Sequence, residues 1–84
     1  MKNKKKKIAL SQLNTESIAT IENISNDLKN KTRFSEMGII PGKSLKLIQR
    51  YSIHGPICIK IMGSTIMIRK ETADQIFVSE IYDE

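Results

Sequence analysis

His54 and Cys58 are the side chains of this sequence best suited to metal or nucleophile chemistry, and they stand four residues apart. They are also its only histidine and its only cysteine. A zinc site needs three or four ligands, and an activated nucleophile needs a base held by a third group. Two groups that could meet across one loop supply neither. His54, between Ile53 and Gly55, reads as a solvated loop tip, and Cys58 as a half-buried, inert thiol. Glu71 and Asp74 have helical spacing, but a solvated face accounts for them without a catalytic carboxylate pair. The phosphate-cradling patterns GxxxxGKS/T and GxGxxG are absent. Paired titratable groups are the minimum for an enzyme site. Without them the sequence reads as a non-enzyme, and no catalytic residue, cofactor or metal ligand is assigned.

The fold must therefore position a surface. The run Met37-Gly38-Ile39-Ile40-Pro41-Gly42 holds the strongest local instructions. A glycine directly after a helical pattern takes the left-handed conformation that ends a helix, and an apolar residue comes next as the contact of that cap. Pro41-Gly42 fits the two central positions of a type II turn. The chain is told to stop a helix, turn and enter a sheet. Gly55-Pro56 and Gly63 punctuate the later strands in the same way.

At 84 residues the chain has room for one domain with one modest core. A chain of this size buries roughly 60–65% of the surface its unfolded form exposes. The net charge of +5 suggests nucleic acid, but its distribution argues otherwise. Lys2, Lys4, Lys5, Lys6 and Lys7 crowd into the first seven residues, and the rest carries nine basic against nine acidic residues. Residues 1–7 read as a flexible, solvated tail, or as an arm drawn to an anionic membrane surface. A single cysteine fits a reducing compartment, and no apolar run reaches the ~20 residues of a membrane span. Ile8-Ala9-Leu10 is too short for a secretory signal. A cytoplasmic protein is expected, with the inner face of the membrane within reach of the tail.

Along the chain, Ala9 to Leu13 predicts a short helical turn with Leu10 and Leu13 inward. Ile18 to Ile24 predicts the first strand, and residues 27–37 a helix with Leu28, Phe34 and Met37 leaning on the core. Ser44 to Arg50 predicts a strand with Leu45 and Leu47 on one face. Gly63-Ser64 predicts a two-residue hairpin turn that pairs Ile61 with Ile66 and Ile59 with Ile68. Ile57, Ile59, Ile61, Ile66 and Ile68 then share one face, and Cys58, Lys60, Met62, Met67 and Arg69 the other. Lys70 to Ala73 predicts a helical turn and Gln75 to Ser79 a last strand. The fold expected is mainly β: five short strands closed into a small barrel, with one helix between the first and second strands.

These pieces in this order resemble a family. A short leucine segment is matched by Leu10-Ser11-Gln12-Leu13. A basic residue and helix end running into apolar-Gly-apolar-x-Pro-Gly is matched from Arg33 to Gly42. Gly55-Pro56-Ile57 leads into two alternating strands that close on Ile66-Met67-Ile68-Arg69, and Ile76-Phe77-Val78 completes the set. Together, over roughly residues 8–79, they are similar to ferrous iron transport protein A, FeoA.

The resemblance implies an SH3-like barrel over 8–84. It also implies a partner in place of a reaction: the cytosolic part of FeoB, the membrane ferrous iron transporter with a GTPase domain. The helix end and the adjoining loops are where that contact is expected, on Arg33, Phe34, Met37, Ile53 and His54, while Gly38, Pro41, Gly42, Gly55, Pro56 and Gly63 read as turn residues. Two other readings compete. A nucleic-acid-binding barrel would need aromatic residues on a basic face, where the strands offer only Tyr51 and Phe77. A stand-alone barrel related to the C-terminal domain of iron-dependent repressors would share the fold.

Overall fold

The computed structural model describes residues 3–83. Six antiparallel strands form one sheet: β1 (Asn3–Ala9), β2 (Ile18–Ile24), β3 (Ser44–Arg50), β4 (Ile57–Ile61), β5 (Ser64–Ile68) and β6 (Ile76–Asp83). Their spatial order is β1-β6-β2-β3-β4-β5. A 3-10 turn (Leu10–Gln12) comes after β1, helix α1 (Lys31–Glu36) joins β2 to β3, and helix α2 (Lys70–Ala73) joins β5 to β6.

The bounds of β2, β3 and α2 agree with the sequence pattern. Leu10 and Leu13, expected inward, are fully buried beside the 3-10 turn. Bulges interrupt the register between Ile21 and Asn23 and between Leu47 and Gln49, and bulges bend strands. The bent sheet folds over an isoleucine-rich core in which Ile21, Ile57, Ile59, Ile61 and Ile76 are each at most 1% exposed. Burying one such side chain contributes roughly 1.5–3 kcal/mol.

Three expectations change. The closed five-stranded barrel is instead an open sheet of six strands with β1 and β5 at its edges. The sixth strand is the lysine run. From Asn3 onward the expected flexible tail is β1, paired with β6 from Asn3↔Asp83 to Ala9↔Phe77; residues 1 and 2 lie outside the described residues. A lysine run has no apolar alternation, so hydrophobic pattern cannot reveal it. An edge strand needs backbone partners on one side only, and lysine is a residue that edges tolerate and use. The last strand is also longer than its apolar pattern suggests, since β6 continues to Asp83 and offers β1 its length.

The helix is the third change. It covers six residues, not 27–37. Ser25 Oγ accepts from the Asp27 N–H at 3.1 Å, the Leu28 N–H bonds the Ser25 carbonyl at 3.2 Å, and Asn30 sits at φ +62°. Short polar side chains bond their own backbone and hold residues 25–30 in turns that a helix would have to break. Leu28 still reaches the core, through a turn.

Candidate functional site

The exit from α1 is built as the sequence instructs. The Gly38 N–H bonds the Ser35 carbonyl and the Ile39 N–H bonds the Phe34 carbonyl, both at 3.0 Å. With Gly38 at φ +95°, these are the two bonds of a Schellman cap. Ile39 is fully buried and anchors it. The Lys43 N–H then bonds the Ile40 carbonyl at 3.2 Å across Pro41-Gly42, and Gly42 at φ +94° makes this the expected type II turn.

The hairpin differs by one step. Its loop is Met62-Gly63, with φ +50° and +80°, the signature of a type I′ turn. Ile61 therefore pairs with Ser64, Ile59 with Ile66 and Ile57 with Ile68. The expected register is off by two residues, which preserves parity. Ile57, Ile59, Ile61 and Ile68 are buried as expected, while Ile66 is half-buried. On the other face Cys58 is buried, whereas Met62 and Met67 are 66% and 58% exposed.

No residue of α1 is buried. The helix stands off from β5, and two hollows of about 610 and 630 Å³ lie between them. Met37, Gly38, Ile40, Met62, Ser64 and Ile66 line the first. Arg33, Phe34, Met37, Ile66, Met67 and Arg69 line much of the second. Met37 and Ile66 belong to both, so they form a ridge in one trough that runs beside β5 along its length.

Of the contact residues expected from the sequence, the trough brings Arg33, Phe34 and Met37 together. Phe34 is half-buried against the core, and Arg33 and Met37 are exposed. Ile53, 78% exposed, and His54 sit on the β3–β4 loop and line neither hollow. That loop is closed by the Tyr51 N–H on the Pro56 carbonyl at 3.3 Å and the Gly55 N–H on the Ser52 carbonyl at 3.2 Å. A Cβ on Gly55 would lie 2.5 Å from Ser52 Oγ, so a side chain there must first turn that hydroxyl aside. Ile66 and Ser64 are trough residues that the sequence reading does not reach. A signal for them exists, because the second strand of a hairpin that leads into a helix is a natural sheet edge.

The one clear electrostatic perturbation among the described residues lies elsewhere. Asp74, at the end of α2, accepts hydrogen bonds from Ser11 Oγ and from Lys70 Nζ, the latter at 3.0 Å. The Ser11 bond first, then the Lys70 ammonium, hold its carboxyl below the usual carboxylate range. This ties α2 to the 3-10 turn and has no part in the trough. No group of three or more His, Cys, Asp and Glu that could hold a metal occurs among the described residues. No helix among them is long and apolar enough to cross a membrane. What the trough can do chemically is grip: methionines supply an adaptable apolar lining, and Arg33 and Arg69 supply charge.

The family model described as "FeoA domain" matches residues 8–80. A FeoA-like protein from Clostridium acetobutylicum superposes with a TM-score of 0.81 at 23% identity, covering 94% of this chain and 92% of that one. The zinc-complexed FeoA of Stenotrophomonas maltophilia gives 0.70 at 19% identity, covering 82% and 86%. That protein is described as a procaryotic SH3 domain protein and as a candidate activating factor of bacterial ferrous iron transport. A manganese-dependent transcriptional repressor gives 0.80 at 22% identity, covering 92% of this chain and 43% of that one. These identities speak for the fold alone. A search of curated proteins finds no match.

Proposed function

This chain belongs to the FeoA family, which is associated with ferrous iron transport, and we propose that it is a non-catalytic accessory protein that docks on the cytosolic part of FeoB. The observation that carries this reading is the family match combined with the trough. A small domain whose helix α1 buries no residue, and whose hollows hold methionines and arginines, is shaped for a partner. We place the contact on Arg33, Phe34 and Met37, and leave Ile53 and His54 outside it. An arginine finger role for Arg33 toward the GTPase would be a rate effect of about 10³–10⁵; docking requires no such effect.

The lysine strand complements this reading. FeoB places its cytosolic domains beside an anionic leaflet, and each lysine near such a surface contributes about 1 kcal/mol. The site of action is then the inner face of the cytoplasmic membrane.

The test is a binding titration of the chain against the cytosolic domains of FeoB. Arg33→Ala and Phe34→Ala should each weaken binding, and replacing Lys4, Lys5 and Lys6 by Gln should lower affinity only when anionic vesicles carry the target. Unchanged binding for Arg33→Ala and Phe34→Ala would reject this surface.

A further inference from the structure

The hairpin turn decides which backbone groups of β5 are satisfied. With Met62-Gly63 as the loop, Ile61 and Ser64 form the hydrogen-bonded pair beside it, and such pairs alternate along the ladder. Ser64, Ile66 and Ile68 therefore turn their N–H and C=O toward β4. Thr65 and Met67 turn theirs away from it. β5 has no neighbour beyond that edge, and no backbone bond outside the ladder reaches residues 64–68 among the described residues. The free edge opens on the trough.

A strand laid along that edge would find its side-chain sites prepared. Its residues facing the core side would fall on either side of the Met37–Ile66 ridge, one in each hollow. Alternate residues of such a strand are about 6.6–6.8 Å apart. Residues on the opposite face would lie over Met67. Around the second hollow stand three cations, Lys29, Arg33 and Arg69, against Asp27 and Glu71. None of the three cations has a carboxylate partner among the described residues.

We propose that β5 takes up an extended segment of FeoB as an added strand, paired through the backbone of Thr65 and Met67. The segment carries an apolar side chain into the first hollow and an acidic one into the second. This rests on the docking reading above and specifies its geometry: main-chain bonds give affinity and alternate side chains give specificity, as in other strand additions.

Proline provides the test. At Thr65 or Met67 it removes an outward N–H and no ladder bond, an edge-strand setting that accepts proline. Thr65→Pro and Met67→Pro are titrated against the cytosolic domain of FeoB, with Thr65→Ala and Met67→Ala as controls that keep the N–H. The expected result is about tenfold weaker binding for each proline variant beyond its alanine control. Amide exchange by NMR gives the second readout: Thr65 and Met67 exchange faster than Ile66 and Ile68 in the free chain and become protected in the complex.

Prolines that bind like their alanine controls overturn strand addition while leaving docking intact. Failure of the unaltered chain to bind removes the docking reading and strand addition with it. Prolines that abolish only self-association assign the edge to a second copy of this chain and overturn the assignment to FeoB.

Discussion

The Sδ atom of Met62 lies 2.7 Å from the point a Cβ on Gly38 would occupy. The turn that ends α1 and the turn of the β4–β5 hairpin are thus pressed together, and both residues line the first hollow. Gly38→Ala meets two penalties there. Its φ of +95° disfavours any Cβ, at about 1–2 kcal/mol, and the new methyl must displace Met62. Urea unfolding should show a loss of roughly 1.5–3 kcal/mol. In a Met62→Ala background the steric part disappears, and the remaining cost should fall to about 1–2 kcal/mol. Equal costs in both backgrounds would mean that the two turns are uncoupled.

Met62 itself occupies a glycine-like conformation at φ +50°. The turn type favours Asn-Gly over Met-Gly. Met62→Asn should stabilise the chain by roughly 0.5–1 kcal/mol, read as a higher thermal midpoint. Because the thioether leaves the first hollow, the same variant should bind FeoB more weakly. A gain in stability with a loss in affinity would identify Met62 as a residue placed for contact at a cost in stability.

The same turn separates the legible part of the fold from the illegible part. Parity of the isoleucines at 57, 59, 61, 66 and 68 was legible, because a two-residue error in register leaves every side chain on its own face. The register itself was not, since Gly63 fits the first position of one turn type and the second of another. The Gly38–Gly42 punctuation was legible because each residue is the one its backbone angle demands. The lysine strand was illegible, for it has no apolar period and its pairing depends on β6, which lies at the far end of the sequence. The trough was half legible. Arg33, Phe34 and Met37 can be read from the helix, whereas Ile66 joins them only once the sheet order puts β5 at an edge.

β1 makes the lysine run structural. Deleting residues 1–7 strips β6 of a neighbour from Ser79 to Asp83. Each backbone bond lost costs about 0.5–1.5 kcal/mol net, so the thermal midpoint should drop by several degrees, roughly 4–8 °C per kcal/mol for a domain of this size. Replacing Lys4, Lys5 and Lys6 with Gln keeps the backbone and should leave the midpoint nearly unchanged. A deletion with no effect on the melt would return the run to a solvated tail.

Acid should loosen the contact between α2 and the 3-10 turn before it loosens the core. The Asp74 carboxyl is held below its usual range by Ser11 and Lys70, so its folded-state pKa lies below its unfolded value. A depressed carboxyl contributes stability that is present above the unfolded pKa of about 3.9 and lost as pH falls through the folded one. Asp74 is exposed, so solvent keeps the effect small. Asp74→Asn removes the titration, and its unfolding midpoint should fall less steeply below about pH 4 than that of the parent chain. Ser11→Ala removes the first cause and leaves Lys70, so its curve should lie between the two. If all three curves run parallel through that range, the Ser11–Asp74 bond contributes nothing to acid stability.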